Sequence, residues 1–163
     1  MSDFWVVDIE ASGLSPRSYP IEIGLFNGID HYQTLICPEE EWQHWSDRAE
    51  SLHGLSRHYL EKHGSAARKV CEEINNLVGG CVLFSDHDDW DGFWLQRLYA
   101  STGVQQQFLV ASLIELLGQG KQEEFSALVS ELRRRGKYRS HRALDDAGVF
   151  HQAAQFMLQK NAT

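Results

Sequence analysis

Few features of this sequence could support a disulfide framework or a thiolate metal site. Its three cysteines, Cys37, Cys71 and Cys81, are odd in number and widely spaced, and they include no Cys-x-x-Cys pair. They are typical of reduced, partly buried thiols. No run approaches the roughly 20 apolar residues that a membrane-spanning helix needs, and the segment Met1 to Phe4 lacks the basic start of a secretory signal. We therefore expect a cytoplasmic protein with no membrane segment.

Positive charge is also scarce. The sequence has 15 Lys and Arg against 23 Asp and Glu, a formal net charge of −8, which disfavours general binding to nucleic acid through phosphate contacts. The basic residues are concentrated between Arg133 and Arg142. This composition excludes a non-specific duplex binder, but it is compatible with an enzyme that holds the end of an anionic chain along a local basic track.

The chain is long and apolar enough for one folded domain over residues 1–163. Its hydrophobic content of 42% and its five tryptophans are typical of a packed core. Periodicity and turn signals, including Asn27-Gly28 as a hairpin turn, predict strands at residues 4–10, 21–26, 31–36, 81–84 and 107–110. Helices are predicted at residues 48–53, 56–62, 66–78, 92–100, 113–117, 123–135 and 142–159. We expect an α/β fold in which helices flank a mixed five-stranded sheet.

The first predicted strand contains two carboxylates, Asp8 and Glu10. Residues two apart on a strand point to the same side, so both acids would emerge together from an otherwise apolar wall. Two unpaired anions in that position would repel each other and resist desolvation. A pair of divalent cations would remove this conflict, so the two acids are candidate metal ligands.

A second acidic segment, residues 86–91, follows the fourth predicted strand. Ligands of open α/β sheets lie beyond the carboxyl ends of the strands, so these acids are also candidate metal ligands. Asp91 stands at the start of the next predicted helix, where its alternative role is a helix N-cap. Asp86, Asp88 and Asp89 compete with Asp91 for the metal role, and spacing alone does not choose among them.

The last predicted helix has an acid on its apolar stripe. Asp146 shares this stripe with Phe150, Ala153 and Met157. An acid in such a position needs a partner, and a metal ion would serve. His141 precedes the helix, where its imidazole could turn toward a bound substrate; its alternative role is that of an ordinary surface or capping histidine.

Taken together, these three elements resemble the DEDDh family of 3′–5′ exonucleases, the group that contains bacterial polymerase proofreading subunits. The resemblance rests on three motifs in the family's order: Asp8-x-Glu10 followed by Ala11-Ser12-Gly13-Leu14, Trp90-Asp91 followed by Phe93-x-Leu95, and His141-x-Ala143-x-x-Asp146. In the middle motif, His87 stands where the family often has asparagine. The resemblance implies a ribonuclease H-like fold, which agrees with the predicted order of strands and helices.

The resemblance also implies two-metal hydrolysis of phosphodiesters to nucleoside 5′-monophosphates. Asp8, Glu10, Asp91 and Asp146 would together hold two Mg²⁺ or Mn²⁺ ions, hard cations that suit oxygen ligands. Such ions, ~4 Å apart, stabilise both the attacking and the departing oxygen. His141 would be the general base, because histidine side chains titrate near neutral pH.

The expected substrate is a single-stranded 3′ end of DNA or RNA, between which the sequence does not choose. By resemblance, Leu14 would be an apolar wedge against the terminal base, and Ala11, Ser12 and Gly13 would offer backbone contacts to the 3′ end. His53 lies in a segment that lines the nucleotide pocket in some relatives. The alternative is a nucleic-acid-end or protein-binding module of the same fold with weak or no hydrolysis.

Overall fold

The computed structural model describes residues 4–136 and 138–162. The strands are β1 (Trp5–Ala11), β2 (Pro20–Phe26), β3 (His31–Leu35), β4 (Val82–Ser85) and β5 (Leu109–Ser112). The helices are α1 (Asp47–His53), α2 (Arg57–His63), α3 (Ala67–Val78), α4 (Asp88–Thr102), α5 (Leu113–Leu117), α6 (Gln122–Arg135) and α7 (Ala143–Asn161). The strands form one sheet in the order β3-β2-β1-β4-β5, in which β1 is antiparallel to β2 and parallel to β4. The predicted α/β architecture with a mixed five-stranded sheet is confirmed.

The central strand β1 separates two hydrophobic cores because its side chains alternate between the two faces of the sheet. Trp5, Val7 and Ile9 belong to one core, which also contains buried residues of α3 and α4. Val6 belongs to the other core, which it shares with residues of α5, α6 and α7. By the same alternation, the acidic positions of β1 continue the face of Val6. Both acids therefore lie on the side of the sheet that α7 covers.

Asn27 closes the hairpin between β2 and β3. Its Oδ1 accepts hydrogen bonds from the backbone N–H groups of Ile29 and Asp30, at 2.9 and 2.7 Å, and its own N–H donates to the Asp30 carbonyl at 3.1 Å. The predicted turn is confirmed and extends over residues 27–30.

The first residues of two elements lie two or more positions from those predicted. α4 begins at Asp88 rather than at residue 92, because three acids in its first turn interact favourably with the positive end of the helix dipole. β5 begins at Leu109 rather than at residue 107. The Gln107 N–H donates to Asn75 Oδ1 of α3 at 3.2 Å, so this amide is engaged outside the sheet.

The three cysteines are free thiols, of which Cys71 is buried and Cys37 and Cys81 are partly exposed. None of the helices within residues 4–136 and 138–162 has the length and apolar character needed to cross a bilayer.

Candidate active site

Side chains that could bind a cation meet in two groups beyond the carboxyl end of β4 and along β1. We call them the Asp8 cluster (Asp8, Asp86 and Asp91) and the Asp146 cluster (Glu10, His141 and Asp146). Within each cluster, one ligand atom of every residue lies within 4.8 Å of the others. The structure therefore brings together the five residues predicted to be catalytic or metal-binding, and it adds Asp86.

The Asp8 cluster forms where β4 meets α4. The hydroxyl of Ser85, the last residue of β4, donates to Asp91 Oδ2 at 2.6 Å, and the same Oγ accepts the N–H of His87 at 2.9 Å. This bridge holds Asp91, which is only 3% exposed, within the first turn of α4. The N-cap residue of α4 is His87. The alternative role of Asp91 as an N-cap is therefore wrong.

Among the acids that competed with Asp91, Asp86 reaches the metal-binding geometry. It lies between β4 and α4, and its Oδ2 is 3.7 Å from His87 Nε2. Asp88 and Asp89 are on α4 and belong to neither of the two clusters found in the described part of the chain. Asp86 is thus a further candidate ligand beside Asp91, not a replacement for it.

Asp146 reaches the site because α7 packs very closely against β2. Gly24 of β2 lies under the first turn of α7, and a Cβ at this position would overlap the backbone of Ala143 and Leu144. Gly24 is also the register partner of Asp8 on β1. The missing side chain at residue 24 therefore lets the helix that contains Asp146 approach the strand that contains Asp8.

His141 occupies the loop before α7 and has a left-handed backbone conformation, with φ 61°, which residues other than glycine rarely adopt. Its N–H donates to Asp146 Oδ2 at 2.9 Å and so joins the loop to the first turn of α7. The side chain is exposed and lines a cleft beside the two clusters. The imidazole is therefore accessible to a bound substrate.

A buried ion pair, which is not among the residues predicted from sequence, anchors the same loop. The carboxylate of Glu22 on β2 is fully buried, and it accepts hydrogen bonds from Arg142 Nη2 and from the Ala143 N–H, both at 2.8 Å. Glu22 lies opposite Glu10 in the β1–β2 register. A lone acid in an otherwise apolar strand is the available sequence signal, because charged residues are almost never fully buried unless they are paired.

A second arginine, Arg133 of α6, pairs directly with Asp146. Its Nη2 lies 2.7 Å from Asp146 Oδ1, and its guanidinium carbon lies 5.4 Å from the centre of the Phe150 ring. Arg133 belongs to the predicted basic run, but the next two arginines of that run pair with Glu131 instead. Lys137, also in that run, lies outside the described residues.

Burial and mutual repulsion raise the pKa values of the carboxylates in the two clusters. Burial, followed by the charges of Asp91 and Glu10, raises the pKa of Asp8 well above its ordinary value. Burial, with a further contribution from Asp146, raises the pKa of Glu10 to about 8. Burial is also the main cause that raises the pKa values of Asp91 and Asp146. The hydrogen bond from Ser85 opposes this rise at Asp91, and the nearby charge of Arg133 opposes it at Asp146.

The donor set fits hard divalent cations. Asp8 Oδ2 is buried and has no hydrogen-bond partner among the described residues, so it is an acceptor that a cation would satisfy. The ligand atoms of the Asp8 cluster are all carboxylate oxygens, and the Asp146 cluster adds one imidazole nitrogen. Carboxylate oxygens are the ligands that suit Mg²⁺ and Mn²⁺. The residues present therefore fit the predicted pair of ions.

Both clusters open into a cleft of about 820 Å³. The cleft is lined by the loop after β1, by α1, by the start of α4 and by α6. Ala11 at the end of β1 reaches this cleft, as do Gly13 and Leu14 of the loop, and Leu14 is 75% exposed. An apolar side chain so exposed beside the acidic clusters is suited to contact a flat apolar surface such as a nucleobase.

Of the predicted substrate-binding residues Ser12 and His53, only His53 lines the cleft. Ser12 is fully buried, and its groups are used within the protein: its N–H donates to the Tyr19 carbonyl at 3.0 Å, and its carbonyl accepts the Ser46 N–H at 2.9 Å. The structure thus does not bring Ser12 to the cleft. His53 does line the cleft, although it is largely buried, and its Nδ1 accepts the Leu55 N–H at 3.0 Å. Burial lowers the pKa of His53.

No protein-family model matches the chain. Over 159 residues, the chain is 28% identical to the PolC-type DNA polymerase III of Thermotoga petrophila and 27% identical to that of Thermotoga maritima. In both cases the match covers 91% of this chain and 11% of the relative. Among solved structures, the chain is similar to E. coli exonuclease I in complex with single-stranded DNA, with a TM-score of 0.72 and 13% identity. The exonuclease I of Methylocaldum szegediense gives a TM-score of 0.69 and 13% identity.

These similarities establish the fold. The structural matches cover 98% and 96% of this chain but only 40% of either exonuclease I chain. The chain also spans about a tenth of the length of the curated relatives it matches. The predicted ribonuclease H-like α/β fold is confirmed by the likeness to exonuclease I.

Proposed function

We propose that this protein is a metal-dependent 3′–5′ exonuclease of the DEDDh type, which acts on single-stranded ends of nucleic acid. The proposal is carried by one observation: four predicted acids and a histidine converge at one cleft, where Asp8 keeps a buried carboxylate oxygen without a hydrogen-bond partner among the described residues. The similar proteins are a DNA polymerase III and an exonuclease I in complex with single-stranded DNA. They support DNA, rather than RNA, as the substrate class.

Asp8, Glu10, Asp91 and Asp146 would together hold two Mg²⁺ or Mn²⁺ ions, with Asp86 as a further ligand. When bound, the ions supply positive charge that stabilises the attacking and the leaving oxygen of the phosphodiester. The acids themselves would otherwise repel a phosphate group, because each is an anion once it is ionised. The protein's contribution is to hold these carboxylates together against their own repulsion.

His141 would accept the proton of the attacking water. Its imidazole is exposed at the cleft, whereas its backbone is held by the hydrogen bond to Asp146 Oδ2. An imidazole in this position can take a proton in the reaction and release it to solvent afterwards. The buried pair of Glu22 and Arg142 restrains the loop, so we assign these two residues a positioning role.

The terminal nucleotide would lie between the loop after β1 and α1. Leu14 projects into the cleft and would contact the face of the terminal base. Ala11 and Gly13 line the same wall and would offer backbone groups to the 3′ end. His53 closes this wall from α1 and would limit the space around the nucleotide.

A direct assay tests the proposal. The purified protein is incubated with 5′-labelled single-stranded DNA or RNA of the same sequence, with Mn²⁺ or with EDTA. We expect products shortened from the 3′ end, release of nucleoside 5′-monophosphates, faster reaction on DNA, and no reaction in EDTA. A protein that binds the strands without releasing nucleotides from either would contradict the exonuclease and support the binding-module alternative.

His141→Ala is the matched variant for the proton-transfer role. Loss of a general base typically lowers the rate about 10²–10⁴-fold, and we expect a loss in this range. Mn²⁺ binding, followed by electron paramagnetic resonance, should remain within a few-fold of wild type because the carboxylate ligands are intact. A variant that keeps full activity would show that another group accepts the proton.

A further inference from the structure

Both carboxylate oxygens of Asp146 already accept a hydrogen bond from the protein, so an ion that binds there must share or displace one of these donors. Its Oδ1 accepts a hydrogen bond from Arg133 Nη2 at 2.7 Å, and its Oδ2 accepts one from the His141 N–H at 2.9 Å. The second bond belongs to the backbone of the loop that positions His141. The first bond comes from a side chain, and it is therefore the one that can be released without disturbing the fold.

Arg133 is held loosely enough for such a release. Its side chain is about one-third exposed, at 33%, and it lines the cleft. Its Nε is buried without a hydrogen-bond partner among the described residues. The stack of its guanidinium over the Phe150 ring, at 5.4 Å, does not depend on Asp146. The contact with Phe150 would therefore keep Arg133 in the cleft, whereas its hydrogen bond to Asp146 can be exchanged.

A guanidinium and a divalent cation compete for the same carboxylate oxygen. Both carry positive charge, and at contact distance they would repel each other strongly in a partly buried site. The guanidinium of Arg133 already lies at contact distance from Asp146, with its Nη2 2.7 Å from Oδ1. Arg133 thus places a positive charge beside Asp146, where an ion bound at the Asp146 cluster would also place one.

We propose that Arg133 exchanges partners: it neutralises Asp146 in the metal-free protein, and it turns to a phosphate of the nucleotide once a divalent cation has taken Asp146. The second half rests on the proposed function, which places a phosphate group in this cleft. Guanidinium groups bind carboxylate and phosphate with the same two-pronged geometry. The exchange would couple the arrival of the ion to recognition of the substrate's charge.

The first test measures Mn²⁺ affinity in the absence of nucleotide. Arg133→Gln removes the competing charge, so Mn²⁺ should bind about tenfold more tightly, the size expected when one charged hydrogen bond no longer has to be broken. Arg134→Gln is the matched control, because it removes the same charge one residue further along α6, from an exposed arginine that pairs with Glu131. Its Mn²⁺ affinity should equal that of wild type.

The second test measures binding of thymidine 5′-monophosphate at saturating Mn²⁺ by calorimetry. Arg133→Gln should weaken this binding about tenfold through loss of one charged phosphate contact, whereas Arg134→Gln should leave it unchanged. Arg133→Lys keeps the charge but not the planar fork, so both affinities should lie between those of wild type and Arg133→Gln.

Each outcome shows whether Arg133 exchanges partners. Mn²⁺ affinity that is unchanged or weaker in Arg133→Gln, absence of Mn²⁺ binding in every variant, or unchanged nucleotide affinity would overturn it. If Arg133→Gln shows both expected shifts but the wild-type protein releases no nucleotides from DNA or RNA, the exonuclease is contradicted and the exchange still stands. An active exonuclease in which Arg133→Gln binds Mn²⁺ like wild type would do the reverse.

Discussion

The two clusters of the site differ in how the protein balances their charge. In the Asp8 cluster, Asp8 and Asp91 are almost completely buried, and the charges that act most on Asp8 are all carboxylates. In the Asp146 cluster, by contrast, Arg133 pairs with Asp146, and the guanidinium groups of Arg142 and Arg133 oppose the rise that burial imposes on the pKa of Glu10.

This difference indicates that the two clusters depend on an ion to different degrees. In the Asp8 cluster, the Ser85 hydroxyl donates to Asp91, and His87 lies beside Asp86. Asp8 itself has no ion-pair partner among the described residues, so it needs either protons or an external cation. The Asp146 cluster has its own cation, which an incoming ion must displace. We therefore expect the first ion to bind at the Asp8 cluster and the second to bind more weakly at the Asp146 cluster.

The largest effects are expected from removal of one acid in each cluster. Asp8→Asn and Asp146→Asn should each lower nucleotide release about a thousandfold, because metal stabilisation of the transition state is worth several kcal/mol. Their effects on the metal-free protein should differ. Asp8→Asn removes an unpaired buried anion and should raise the melting temperature by about 2–4 °C, whereas Asp146→Asn also breaks the Arg133 pair and should not raise it.

Differential scanning calorimetry in EDTA, together with the nuclease assay, checks this contrast. Equal changes of melting temperature in the two variants would mean that the clusters do not differ in charge balance. Normal nucleotide release in either variant would remove that acid from the proposed metal site.

A smaller effect is expected when the anchor of the His141 loop is weakened. Glu22→Gln keeps the shape of the side chain but removes the charge that pairs with Arg142. Outer residues that orient a site typically change its activity about 10–100-fold, and we expect a loss in this range, mainly in kcat, because the ligands of the ions remain. Single-turnover nucleotide release at saturating Mn²⁺ and saturating DNA measures this effect.

Glu72→Gln is the matched control, since Glu72 pairs with Arg68 at 3.0 Å on the exposed surface of α3. Exposed pairs contribute little, so nucleotide release by this variant should equal that of wild type. If Glu22→Gln also behaves like wild type, the buried pair has no part in positioning His141.

The last prediction concerns the pH dependence of stability without metal. The pKa of Glu10 in the folded protein is raised to about 8, above its ordinary value of 4.5, by burial and by Asp146. A raised folded pKa means that this group stabilises the fold fully below about pH 4.5 and loses that contribution as the pH rises toward about 8. The free energy of unfolding in EDTA should therefore fall across this range.

Urea unfolding at several pH values in EDTA measures how steeply the free energy of unfolding falls with pH. Glu10→Gln does not titrate, so its free energy of unfolding should fall less steeply than that of wild type. Saturating Mn²⁺ should also reduce the fall in wild type, because the ion favours the ionised carboxylate. A wild-type slope equal to that of Glu10→Gln would contradict the raised pKa.

Local patterns predicted much of the architecture and of the site. The apolar run around Asp8 and Glu10 predicted a buried strand, and the two-residue period of a strand placed both acids on one face. The helical stripe of Asp146 likewise predicted that this acid faces the core. These inferences succeed because strand and helix periods are properties of the backbone, which a short stretch of sequence reveals.

The contacts that complete the site could not be inferred in this way. Glu22 and Arg142 are separated by 120 positions, and Arg133 meets Asp146 from a different helix. The membership of Asp86 depends on how α4 follows β4, and four neighbouring aspartates have the same local pattern.

By itself, the sequence determined that Asp8 and Glu10 lie on a strand and Asp146 on a helix, that these side chains face inward, and that an α/β sheet would collect them. The tertiary structure alone decided which arginine balances which carboxylate. Its decisive contact is the approach of α7 over Gly24, since the charge on a buried acid depends on atoms within a few ångströms, and the chain brings those atoms together only when the whole sheet and its helices are packed.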